Sequence, residues 1–451
     1  MTEPGLSRVV YDSPLLQAVH RPGSGDALLI TFSPFGLRPD GQDFWGRSFV
    51  EKKDLPALGF VAKADNWFPA ADMRAAAAHL AGLLGGYRAR TTYGGSMGAY
   101  GALKHAALLG AEVGIACGPQ FSIDPRQIKS INFNRYFDPA LHQDMAITAA
   151  DLPGRSYVIF DSAYDFDLEN ADAIARLSPT VHLVRVPHVG HECVKLFAGT
   201  QRVTTLIEAC RVGDLAAVRA HARKARAESP LRVLGVAGRL CARSPDIARA
   251  LFARNESRFD RKQIGAFYHQ LSYEYLRRQQ LGLAEEAAQK AVAMVPSKLS
   301  FLRRMVALKE AQGDQEGAMH WCQRALALDP RDAHSHFKLS GLYMHRRQWE
   351  EAERAVARAL EIVPSEVTFL LRMAKLRVEQ GDLDQASEWY RKALAWSPRD
   401  ASIHYVLARL REAAGDLPGA VASLRNAIAL DPAHENYPKE LRKLERLAAA
   451  A

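Results

Sequence analysis

Cysteine is the first scarcity in this chain, with five in 451 residues. Cys117, Cys193, Cys210, Cys241 and Cys322 are odd in number and show no C-x-x-C or metal-ligand spacing. A disulfide framework and a metal site are therefore not expected; reduced, buried thiols in a cytoplasmic setting are. Residues 1–7 lack a basic segment followed by an apolar core, which argues against a secretion signal. No apolar run is long enough to span a bilayer; the Ala/Leu-rich stretch at 74–85 is short and carries Arg74 and His79. Basic runs with interleaved aromatics are missing as well. The net charge of +9 sits mostly on arginines that alternate with Glu and Asp, so solvated helix faces are expected and a nucleic-acid partner is not. Nor is there a phosphate cradle. The glycines at 94–98 match neither G-x-x-x-x-G-K-[ST] nor G-x-G-x-x-G, and no cofactor is expected.

With 48% hydrophobic and 24% charged residues the chain reads as soluble and globular, and its length predicts two domains. Residues 1–198 alternate strand-like and helix-like segments. Strands are predicted at 7–12, 15–20, 27–33, 58–62, 89–93, 112–117, 156–160 and 181–186. Several are continuous apolar runs, such as Ala27-Leu28-Leu29-Ile30-Thr31-Phe32, which suit strands buried on both faces. Helices are predicted at 70–85, 97–108, 168–177 and 192–211. The alternation implies an α/β domain with a mostly parallel sheet.

From about residue 199 the strand signals stop and a period appears. Pro296, Pro330, Pro364, Pro398 and Pro432 are spaced by 34 residues. Each follows two alanines in register, from Ala284 and Ala291 to Ala420 and Ala427, and Gly-Asp pairs recur at 313–314, 381–382 and 415–416. Small alanines let paired helices approach closely, glycine ends one helix, and proline ends the next. This is the signature of the tetratricopeptide repeat (TPR), a 34-residue helix–turn–helix unit. Five repeats are assigned to 265–434, a capping helix to 435–451, and degenerate repeats joining the domains to 199–264. The implied all-α solenoid offers a groove for a protein or peptide partner.

The first domain is organised around Gly94-Gly95-Ser96-Met97-Gly98, a G-x-S-x-G elbow between a predicted strand and helix. A serine hydroxyl needs a base, an acid to orient that base, and donors for an oxyanion. An acidic run, Asp161-Ser162-Ala163-Tyr164-Asp165-Phe166-Asp167, follows the strand at 156–160. His188-Val189-Gly190-His191 follows the last strand. The order serine, acid, histidine resembles the α/β-hydrolase superfamily over residues 1–198. That resemblance implies Ser96 as nucleophile and His191 as base, with His188 its rival. It leaves the acid as Asp165 or Asp161, and Asp167 reads as the start of a helix. One oxyanion donor would be the Met97 amide; the other would be Phe35 or Gly36, because Pro34 has no N–H. Trp67 and Phe68 are expected to pack the helix that follows them, with an aromatic wall at the site as the other reading. Some forty residues between Cys117 and the acidic run leave room for only a modest cap, which suits an open cleft and a small polar ester or acylated substrate. Two functions remain: a serine esterase, thioesterase or acyltransferase carrying a partner-binding array, or a TPR scaffold whose hydrolase-like domain is inactive.

Overall fold

The computed structural model describes residues 6–128 and 132–450. Most of the stretch read for a leader, residues 1–5, lies outside the described residues. The chain divides into two compact units, Met1–Phe259 and Asp260–Ala451. Among the described residues no helix is long and apolar enough to cross a membrane.

The first unit is built on one mixed sheet. Its strands are β1 (Arg8–Asp12), β2 (Leu16–Arg21), β3 (Ala27–Phe32), β4 (Ala57–Ala62), β5 (Ala89–Gly95), β6 (Val113–Cys117), β7 (Arg155–Phe160) and β8 (Val181–Arg185). They lie in the order β1-β2-β4-β3-β5-β6-β7-β8. β2 runs antiparallel to both β1 and β4, and every other pairing is parallel. The helices are α1 (Arg47–Lys52), α2 (Ala70–His79), α3 (Ala81–Gly85), α4 (Met97–Lys104), α5 (Asp165–Ala175), α6 (Thr200–Val212), α7 (Leu215–Glu228), α8 (Pro230–Arg243) and α9 (Pro245–Ala253).

Alternate side chains of the central strands feed two cores. Leu28, Ile30 and Phe32 of β3 pack with Met73, Met97, Leu103 and Ile174 on one face. Leu29, Tyr93, Ile115, Tyr157 and Ile159 pack with Val50, Leu206, Ile207 and Val218 on the other. Apolar runs read as buried on both faces follow from this arrangement. It also corrects the reading of 199–264 as a connector of degenerate repeats: α6 and α7 are covering helices of the sheet, and the first unit runs to Phe259. The helix predicted at 70–85 breaks at Leu80. The one predicted at 192–211 is a 3-10 turn, Cys193–Phe197, then Gly199 at φ 104°, then α6.

The second unit is a row of helix pairs: α10 (Arg261–Arg277) with α11 (Leu281–Met294), α12 (Leu299–Ala311) with α13 (Gln315–Leu328), α14 (Ala333–His345) with α15 (Trp349–Ile362), α16 (Val367–Glu379) with α17 (Leu383–Trp396), and α18 (Ala401–Ala413) with α19 (Leu417–Leu430). α20 (Tyr437–Ala450) closes the row, burying Tyr437 and Leu444 against Ala408, Leu424 and Ala427. The alanines in register, Ala318 and Ala325, Ala352 and Ala359, Ala386 and Ala393, Ala420 and Ala427, have no exposed surface. Any larger side chain there would push paired helices apart.

Candidate active site

β5 ends at Gly95, α4 begins at Met97, and Ser96 makes the whole turn between them at φ 53° and ψ −121°. A side chain at such a positive φ is strained by about 1–3 kcal/mol, so the surroundings must hold it. They do so by close approach. A Cβ on Gly94 would stand 2.0 Å from the Gly98 carbonyl oxygen, and one on Gly98 would stand 2.3 Å from that of Phe32. The Ser96 amide is fixed by donating to the Cys117 carbonyl at 2.9 Å. The serine thereby sits at the C-terminal edge of the parallel strands, half-buried.

His191 comes to it from the loop after β8. That loop is shaped by Asp161 at the end of β7, whose carboxylate accepts the amides of His188 at 2.8 Å, Val189 at 2.9 Å and Gly190 at 2.7 Å. His191 Nε2 lies 2.8 Å from Ser96 Oγ, and its Nδ1 lies 2.6 Å from Asp167 Oδ1. The Asp167 carboxylate is fully buried. With Asp167 accepting from Nδ1–H, Nε2 is left to accept the serine hydroxyl.

Ser96 and His191 are therefore brought together, whereas neither expected acid reaches the imidazole. Asp165 is exposed at the first position of α5, and Asp161 is spent on loop amides. Asp167 is not a helix cap but the carboxylate on the histidine. Its signal was its phase: Asp167, Asn170, Ala171 and Ile174 form the buried stripe of α5. His188 makes no hydrogen bond to Ser96; its Nδ1 is buried without a partner, and burial, then the Arg239 charge, push its pKa down.

The loop after β3 passes beside the start of α4. Its Gly36 amide donates to Asp65 Oδ1 at 2.9 Å, so this expected oxyanion donor is already engaged. Arg38 holds the same carboxylate at 2.9 and 2.7 Å. Burial pushes the Asp65 pKa up, but the Arg38 hydrogen bonds, the Gly36 amide and the Arg38 charge outweigh it and hold it below the usual value. The Phe35 and Met97 amides have no acceptor among the described residues. Met97 is free because the first amides of a helix have no partner within it.

Aromatic rings close over the pair. Phe133 and Phe166 stand 5.8 and 5.5 Å from the His191 ring, and Phe35 packs on Tyr136 and Trp67. Trp67 thus belongs to a wall as well as to the core, whereas Phe68 packs on Phe32. The Trp67 indole donates to Gln120 Oε1 at 3.0 Å, which turns the Gln120 amide nitrogen toward His191 Nε2 at 3.4 Å. Nothing in the sequence singles out Gln120.

A family model described as tetratricopeptide repeat matches residues 309–368 and 344–410. The match lies within the second unit, whose helix pairs are a TPR array. Solved structures similar to this chain include MamA from Desulfovibrio magneticus RS-1 (16% identity, TM-score 0.35, 38% of this chain and 97% of that one). Pseudomonas aeruginosa pilF is 20% identical, at TM-score 0.34, over 41% of this chain and 88% of that one. YrrB, titled a TPR protein with an unusual peptide-binding site, is 15% identical, at TM-score 0.35, over 45% of this chain and 99% of that one. No curated protein matches the chain.

Proposed function

We propose that this chain is a TPR interaction scaffold whose first unit is a serine hydrolase of the α/β-hydrolase kind. The TPR match supports the scaffold. One observation carries the hydrolase: the hydrogen-bonded line from Ser96 Oγ through His191 to the buried Asp167. The strand order, with the elbow after β5, an acid after β7 and the histidine after β8, supports the fold reading.

In this reading Ser96 Oγ attacks the carbonyl carbon of an ester or thioester as His191 Nε2 takes its proton. Asp167 keeps the imidazole in the required tautomer and faces the positive charge that develops on it. The Met97 and Phe35 amides, which have no acceptor of their own among the described residues, serve as donors to the oxyanion. His191 then returns the proton to the departing alcohol or thiol, and water, or another alcohol in an acyltransferase, releases the acyl group by the same route. The rings of Phe35, Phe133 and Tyr136 favour a substrate with an apolar surface next to the carbonyl. The burial of all five thiols is in keeping with a reducing, cytoplasm-like setting.

The second reading, a scaffold with an inactive first unit, is favoured by a TPR match that touches no part of that unit. A fluorophosphonate probe separates the two. Covalent labelling of the wild type that disappears in Ser96→Ala supports catalysis. A folded wild type that stays unlabelled, with Ser96→Ala indistinguishable from it in ester assays, supports the inactive scaffold.

A further inference from the structure

We infer that the first helices of the repeat pairs form a docking surface for an acidic segment of a partner protein, seated on Arg304 and Arg372. The inference rests on the scaffold reading and adds the chemistry of the partner. Arg304, Lys338 and Arg372 are 34 residues apart and hold the same position on α12, α14 and α16, so they share one face of the array. Each of the two guanidiniums lies over a ring of the preceding pair: Arg304 over Tyr273 at 4.8 Å, Arg372 over Phe337 at 4.5 Å. Neighbouring arginines are neutralised, Arg303 by Asp332, Arg346 by Glu316 and Arg377 by Glu353. Arg304 and Arg372 have no carboxylate partner among the described residues, and Arg304 Nε is buried with no acceptor.

A half-buried cation without a counter-ion is costly, and an incoming carboxylate removes that cost. In keeping with this, burial pushes both guanidinium pKa values down, with Tyr273 acting against it at Arg304 and Glu310 at Arg372. Space for the ligand is present. A cavity of about 390 Å³ is lined by Glu310, Lys338, Gly341, His345 and Arg372 among others. Gly341 helps create it, since a Cβ there would stand 2.5 Å from Arg372 Nη1. Exposed Lys375, on the next turn of α16, extends the positive surface. Glu310 is itself paired with Lys338 at 2.8 Å, which leaves the guanidiniums as the uncompensated charges of this face. The two guanidiniums, set two repeats apart, match separated carboxylates of a peptide, each able to form a paired hydrogen-bonded contact.

The test is fluorescence anisotropy on the full chain with a labelled oligoglutamate peptide, an oligolysine peptide of equal length and a single-stranded oligonucleotide. Oligoglutamate binding that weakens with added salt, and by at least about tenfold in Arg304→Gln/Arg372→Gln, supports the inference. Arg358→Gln, whose guanidinium already pairs with Glu361, should bind like the wild type. Unchanged binding in the double variant, with its thermal melting also unchanged, overturns the inference. Preference for oligolysine overturns it while leaving the scaffold reading intact. Equal or tighter binding of the oligonucleotide overturns it in favour of nucleic acid. None of these outcomes bears on labelling of Ser96.

Discussion

Asp167 gives up all contact with water to hold one imidazole, and that makes it the residue on which the proposed chemistry depends most. Its carboxylate is the acceptor for His191 Nδ1, so an amide there presents the wrong partner and favours the wrong tautomer. Asp167→Asn is expected to lower ester turnover and the rate of fluorophosphonate labelling by about 10³–10⁴-fold, with folding retained. Asp165→Asn, at an exposed position, is expected to leave both near wild type. Equal losses in the two variants would remove Asp167 from the proposed relay. Asp161 acts at one remove. It arranges the amides of 188–190 that carry His191 into place, so its loss should show first as a loosened loop in hydrogen exchange. The order serine, acid, histidine was legible from the chain, but the identity of the acid was not. Asp165 and Asp167 lie about 200° apart around α5, so only helix phase separates them, and phase depends on where the helix begins. The structure starts α5 three residues before the predicted 168 and turns Asp167 inward.

The same dependence on local backbone governs the repeat turns. Gly313, Gly381 and Gly415 adopt φ of 74°, 81° and 79°, and the aspartate after each caps the following helix. The other two turns in the same register, one before Gly313 and one between Gly313 and Gly381, carry Gln279 and Arg347, forced to φ of 61° and 56°, followed by Gln280 and Gln348 with no capping hydrogen bond. Arg347→Gly should relieve about 1 kcal/mol of left-handed strain. Adding Gln348→Asp should contribute about another 1 kcal/mol through a side-chain cap. Urea denaturation of the full chain, followed by exchange protection of α14 and α15, measures both. A double variant no more stable than wild type would mean that Arg347 and Gln348 make compensating contacts. Elements, unlike side-chain partners, were readable wherever burial was one-sided in kind. The central strands were readable because fully buried strands need uninterrupted apolar residues, and the array because five prolines with their paired alanines fall 34 residues apart. The helix breaks at Leu80 and Gly199 were missed, since both stretches keep helical composition. The role of 199–228 was missed because helices that cover a sheet and degenerate repeat helices carry the same kind of apolar stripe.

Each unit also encloses a histidine that folding keeps neutral, which ties the stability of the whole molecule to pH. His105, fully buried at the end of α4, donates from Nε2 to the Phe68 carbonyl at 2.8 Å, and burial pushes its pKa down to about 4 against the Phe68 hydrogen bond. In the second unit, burial, then the charges of Arg304 and Lys298, push His269 down to about 4 as well. An unfolded histidine titrates near 6.5, so between that value and about 4 the unfolded chain binds protons that the folded chain refuses. The sign follows: the contribution is whole above pH 6.5 and is lost as pH falls toward 4, at about 1.4 kcal/mol per pH unit for a buried histidine. For His105 that reaches about 3 kcal/mol across the window; His269, partly in contact with water, gives less. The carboxylates held below their usual pKa, such as Asp65 and Asp332, give up their contribution only at lower pH, which separates the two effects. Urea midpoints taken from pH 7 down to about 4.5, a range in which those carboxylates stay charged, should fall steeply in the wild type. Read by hydrogen exchange, the fall should flatten in the first unit for His105→Gln and in the second for His269→Gln. A wild-type slope preserved in both variants would mean that other groups set the acid response of this chain.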